Sequence, residues 1–69
     1  MTAVIINGER HDLPAGATVE AAVAESGAPE EGRGVAVAVD GEVVPRGQWA
    51  GTALRDGQEI EVLHAVQGG

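Results

Sequence analysis

Sixty-nine residues leave room for one hydrophobic core and not two. Eleven acidic residues against four arginines and no lysine give a formal net charge of −7, which argues against binding nucleic acid or an anionic membrane surface and suits a basic protein partner. Cysteine is absent, so disulfides, thiol nucleophiles and thiolate metal sites are excluded, as fits a reducing cytoplasm. From the start of the chain, "TAVIING" is a β-branched apolar run closing on Asn7-Gly8, the strongest short hairpin signal, because both turn positions favour positive φ. "ERHDL" returns as a second strand, ended by Pro14 and Gly16.

"TVEAAVAESG" predicts a short helix. Thr18 is placed to cap its N-terminus, and Glu20 lies in the first turn, where the helix dipole favours negative charge. Val19, Ala22, Val23 and Ser26 form one narrow stripe, Gly27 suits the C-terminal cap and Pro29 forbids continuation. "APEEGRG" is a polar loop whose Glu30 and Glu31 read as solvated, since no further cation ligands are spaced around them. "VAVAVD" sets Val35, Val37 and Val39 on one face and Ala36 and Ala38 on the other. Asp40-Gly41 makes a second hairpin turn, "EVV" pairs back, and "PRGQWAG" is expected to be irregular around one tight turn. After a turn at "LRDGQ", "EIEVLHA" is the last strand, with Ile60 and Val62 alternating against Glu59 and Glu61.

One helix across one mixed sheet of four to five strands buries both apolar faces in two layers, which is the β-grasp, an α+β fold. Its core is aliphatic, with Trp49 the only aromatic and read as a plug anchoring the irregular loop rather than as a ligand platform. Residues 1–65 are expected to form the domain and residues 66–69 a flexible tail. No apolar run is long enough to cross a bilayer, and no secretory signal opens the chain.

Conventional catalysis finds no footing. His11 and His64 read as ordinary surface residues, Ser26 is the only serine, and no nucleophile–base–orienter set can be assembled. No metal site is expected. The ending "HAVQGG" is the stretch with chemical potential. Four residues beyond the last strand reach roughly 13 Å when extended. Glycine adds no bulk, so such a segment can thread a narrow channel in another enzyme. Its carboxylate becomes an acyl donor once an oxygen is converted to a leaving group, as in an acyl-adenylate, with positioning and charge stabilisation supplied by the partner.

Taken together, "VIINGE", "LPAGATVEAAVAE", "VAVDGEVVPRGQWA" and "DGQEIEVLHAVQGG" resemble the ThiS family of sulfur carrier proteins of thiamin biosynthesis, ubiquitin-like β-grasp proteins, over essentially the whole chain. "VPRGQWA", residues 44–50, and the terminal "GG" are the most specific parts. The resemblance implies that Gly69 carries the chemistry as a carboxylate, then an adenylate, then a thiocarboxylate, and that Gly68 gives it access. Val66 and Gln67 would line the partner's channel, and Leu63 and Ala65 on the last strand would form a docking surface. The implied partners are a ThiF-type adenylyltransferase using ATP, a sulfur donor enzyme and a ThiG-type thiazole synthase. The carrier itself would be a cytoplasmic monomer with no bound cofactor, a co-substrate rather than an enzyme. Ala65 departs from the family, in which an aromatic is common near that point of the last strand.

Three other readings compete. One is a carrier for molybdopterin, an amino acid or a secondary metabolite, although "HAVQGG" lacks the proline typical of the molybdopterin tail. Another is a non-covalent interaction module whose function survives removal of Gly69. The third, a free-standing enzyme, has no residues to support it.

Overall fold

A computed structural model describes residues 1–28 and 34–64. The elements follow the expected order: β1 (Thr2–Ile6), β2 (Glu9–Leu13), α1 (Val19–Glu25), β3 (Val35–Val39), β4 (Glu42–Val43), a 3-10 helix (Arg46–Gly51) and β5 (Glu59–His64). The strands form one five-stranded sheet in the order β2-β1-β5-β3-β4. β1 and β5 are parallel at its centre, and the other pairings are antiparallel. With α1 supplying the second layer, this is the β-grasp.

Both hairpins form at the expected dipeptides. Asn7 and Gly8 have φ of 50° and 83°, and Asp40 and Gly41 have φ of 51° and 83°. An L-residue with a Cβ is penalised in this left-handed region, whereas glycine is not. Open space surrounds the Cβ position at Gly8, so substitution there carries the backbone penalty alone. Gly8→Ala is therefore expected to lower stability by about 1–2 kcal/mol in chemical denaturation. A change near zero would mean that the turn rearranges instead.

The core is built as the alternation demands. Val4 and Ile6 of β1, Val37 and Val39 of β3, and Ile60 and Val62 of β5 point toward α1, which returns Val19, Ala22 and Val23. Leu13, Leu54 and Trp49 close its margins. Ala22 is completely buried, and its small side chain lets the helix lie close to its neighbours.

Three local expectations are corrected. Thr18 occupies the N-cap position with extended backbone, but its side chain makes no capping hydrogen bond. The first helical N–H, of Val19, instead donates to the Thr52 carbonyl at 2.9 Å, and Leu54 N–H donates to the Ala17 carbonyl at 2.8 Å. The bridge between Thr18 and Ala53 thus satisfies the Val19 N–H, while the Ala21 N–H, which a Thr18 hydroxyl would cap, donates to the Thr18 carbonyl at 3.0 Å. "PRGQWAG" is not irregular: it forms the six-residue 3-10 helix, with Pro45 at its N-cap position and Gln48 N–H donating to the Pro45 carbonyl at 2.8 Å. His11 is not an ordinary surface residue. Its side chain is 21% exposed, with Nε2 3.4 Å from Glu9 Oε1 and Nδ1 3.5 Å from Glu25 Oε1, linking β2 to α1.

Trp49 is the plug that the composition requires. It is buried, and its indole N–H donates to the Val44 carbonyl at 2.9 Å. Gly27, just past α1, adopts φ of 83°, as expected of a helix-terminating glycine.

Candidate functional site

The candidate site begins where β5 leaves the sheet. β5 is the middle strand, held by β3 along its length, with pairs running from Val39–Ile60 to Val35–His64, and by β1 at its start, with Ile5 opposite Glu59 and Ile6 opposite Ile60. A central strand with partners on both flanks is a rigid base from which to extend a chain segment.

β1 turns away at Asn7, so its ladder with β5 stops early. The last backbone bond across it runs from Asn7 N–H to the Ile60 carbonyl at 2.9 Å. The Asn7 side chain then continues the ladder by one step. Its Oδ1 accepts from Val62 N–H at 2.8 Å, and its Nδ2 donates to the Val62 carbonyl at 3.1 Å. At the other end of β5, Glu59 N–H donates to Asp40 Oδ1 at 2.9 Å. The first residue of each hairpin turn therefore also fastens one end of the central strand.

Alternation along β5 buries Ile60 and Val62 and exposes Glu59, Glu61 and Leu63 on the outer face. Leu63 is 64% exposed and lies opposite Ala36 of β3. Glu61 lies opposite Ala38, which in turn faces Val43 of β4, itself 73% exposed. The outer face is thus a shallow apolar strip of Leu63, Ala36, Ala38 and Val43, edged by Glu59 and Glu61. Of the residues expected to act, Leu63 stands where the alternation puts it. Ala65, Val66, Gln67, Gly68 and Gly69 lie outside the described residues, as do Glu30 and Glu31.

Among the described residues, no group of histidine, aspartate and glutamate is arranged to hold a metal ion, and no helix is long and apolar enough to cross a membrane. A hollow of about 490 Å³ between the two hairpin turns is lined by Ile5, Asn7, Gly8, Asp40, Gly41, Glu59, Ile60 and Glu61. It offers the carboxylates of Asp40, Glu59 and Glu61, and no histidine or hydroxyl side chain lines it. Asn7 is the one residue of this region whose role sequence reasoning missed. Its place in the turn was evident, but its second partner lies 55 residues away.

A five-stranded sheet with one helix across it and a central strand running toward the C-terminal segment defines the fold class, a β-grasp domain. The ThiS family profile matches residues 4–69, so the match reaches the terminal Gly-Gly. The chain belongs to the ThiS family of sulfur carriers. In fold it is similar to the thiamine biosynthesis protein ThiS of Geobacter metallireducens. The crystal structure of that protein superposes with a TM-score of 0.75 at 23% identity, covering 99% of this chain and 100% of that one. Its solution structure gives 0.77 at 24% identity, covering 99% and 88%.

Two curated relatives are thiazole synthases. That of Paramagnetospirillum magneticum is 38% identical over 66 residues, which is 96% of this chain and 20% of that protein. That of Magnetococcus marinus is 40% identical over 65 residues, 93% and 19% respectively. The chain spans about a fifth of the length of these relatives.

Proposed function

We propose that this protein carries sulfur for thiazole formation on the carboxylate of Gly69. The observation that carries the reading is the family match running through to residue 69, on a fold whose central strand leads toward that end. In the first step a Gly69 carboxylate oxygen attacks the α-phosphorus of ATP, pyrophosphate departs, and an acyl-adenylate forms. A persulfide on the sulfur donor then attacks the acyl carbon and AMP leaves, giving an acyl disulfide; a thiol of the partner enzymes attacks the donor's sulfur of that bond, so the thiocarboxylate is released and the donor is left in a disulfide. Both steps belong to partner enzymes: a ThiF-type adenylyltransferase binds the ATP, and a separate enzyme donates the sulfur.

The thiocarboxylate sulfur then passes to a ThiG-type thiazole synthase, the activity named for both relatives. The chain contributes reach and access. Gly68 keeps the approach free of side-chain bulk, Val66 and Gln67 line the partner's channel, and Leu63 and Ala65 meet the partner's surface. The acidic edge of Glu59 and Glu61 favours a basic rim around that surface, and the charge of −7 speeds encounter. No cofactor is required by the chain itself, and it acts as a monomeric co-substrate in the cytoplasm.

Pyrophosphate release in the presence of a ThiF-type enzyme and ATP tests the first step. It is expected to require the full chain; release that is independent of the chain would refute the reading. The short share of the relatives' length supports a second reading, in which a domain of this type serves as a non-covalent module beside a thiazole synthase. That reading requires activity to persist when Gly69 is removed.

A further inference from the structure

We infer that Asn7 is a positioning residue, holding the end of β5 from which the C-terminal segment is presented to its partner; the inference rests on the sulfur-carrier reading above. Along β5, successive residues turn their backbone N–H and C=O alternately toward the two neighbouring strands. Ile60 faces β1, since its carbonyl accepts from Asn7 N–H, and Val62, two residues on, faces the same way. By then β1 has turned into its hairpin and has no backbone left to offer. The Asn7 amide fills the place of the missing peptide, accepting from Val62 N–H at 2.8 Å and donating to the Val62 carbonyl at 3.1 Å.

A primary amide is the side-chain group that presents one acceptor and two donors in the geometry of a peptide. Asparagine also tolerates the φ of 50° that the turn imposes at this position. One residue therefore makes the turn and holds the last part of β5 on its open flank. β5 is thus held on both flanks, by β3 at Glu61 and by Asn7 at Val62, immediately before the exposed Leu63 and the segment leading to Gly69.

Without the clamp, the end of β5 frays on the β1 side, and docking must restore its order each time the carrier binds. That cost falls on recognition and not on the chemistry performed by the partner.

The test uses the full chain with a ThiF-type enzyme and ATP, varying the carrier concentration. Asn7→Gly keeps the turn and removes the amide. It is expected to raise KM for the carrier about five- to tenfold, the value of one to two lost hydrogen bonds, with kcat unchanged. Asn7→Asp keeps the acceptor for Val62 N–H and should recover part of that loss. Asp40→Gly is the structural control: it removes a matching turn-to-β5 bond at the far end of the strand and is expected to lower stability without moving KM. Amide exchange gives a second readout. Val62 should exchange about tenfold faster in Asn7→Gly, while Glu61, paired on the β3 flank, stays protected.

An unchanged KM in Asn7→Gly, or an equal rise in Asp40→Gly, would overturn the positioning role while leaving the sulfur-carrier reading intact. A wild-type chain that supports no adenylation would overturn both.

Discussion

Replacing Trp49 with alanine is expected to lower stability by about 3–5 kcal/mol, the usual cost of truncating a buried tryptophan. A domain of this size has roughly 3–10 kcal/mol in total, so the variant should sit near or below the threshold of folding at room temperature. Two physical losses combine. Trp49 is the only aromatic in an otherwise aliphatic core, and no neighbouring side chain is large enough to refill its volume. Its indole N–H also holds the Val44 carbonyl at 2.9 Å, tying the 3-10 helix back to the residue that follows β4.

Trp49→Phe keeps an aromatic plug but removes the donor and part of the buried volume, so a smaller decrease of about 1–3 kcal/mol is expected. Both variants lose the intrinsic fluorophore, and urea unfolding followed by circular dichroism is the appropriate readout. The midpoint should fall while the slope is preserved. A loss below about 1 kcal/mol in Trp49→Ala would show that the 3-10 helix is held by its backbone and not by its plug.

Removal of Gly69 should abolish sulfur loading altogether. The truncated chain still ends in a glycine carboxylate, so the reactive group itself is preserved and only its reach changes. One residue of extended chain is about 3.3–3.6 Å. A displacement of even about 1 Å from the reacting position can cost roughly a hundredfold, so a whole residue should suppress the reaction below detection. The fold of the truncated protein should be unaffected, because the core lies within residues 4–62. Restored loading in a variant with one added glycine after Gly68 would merely reproduce the parent sequence. Gly68→Val is the sharper companion: it preserves length, adds bulk, and should impair loading by obstructing the channel. Thiazole formation that persists equally with all three proteins would favour the non-covalent module.

Much of this architecture is legible in the residues. Asn7-Gly8 and Asp40-Gly41 mark their hairpins because the positive φ they need is a local property. Alternation in "EIEVLH" places Ile60 and Val62 inward and Leu63 outward because the strand period is two. What escapes local reading is what depends on distant partners. Thr18 makes no side-chain cap, the Ala21 N–H donating to its backbone carbonyl instead, and the Val19 N–H finds its acceptor in the distant Thr52 carbonyl. The 3-10 helix is hidden by two glycines and a proline, which normally interrupt regular structure, yet Pro45 presets the entry and burial of Trp49 holds the turn. His11 lies close to Glu25 only because β2 and α1 meet, which no spacing in "ERHDL" reveals. Asn7 combines both cases, since its turn is local and its grip on Val62 is not.

The account stands most directly on one measurement: the intact mass of the protein after incubation with a ThiF-type enzyme, ATP and a sulfur source. The predicted result is a gain equal to the exchange of one oxygen for sulfur, localised to the C-terminal peptide and absent when Gly69 is deleted. An unchanged mass, in a reaction mixture that loads a functional ThiS carrier, would contradict it.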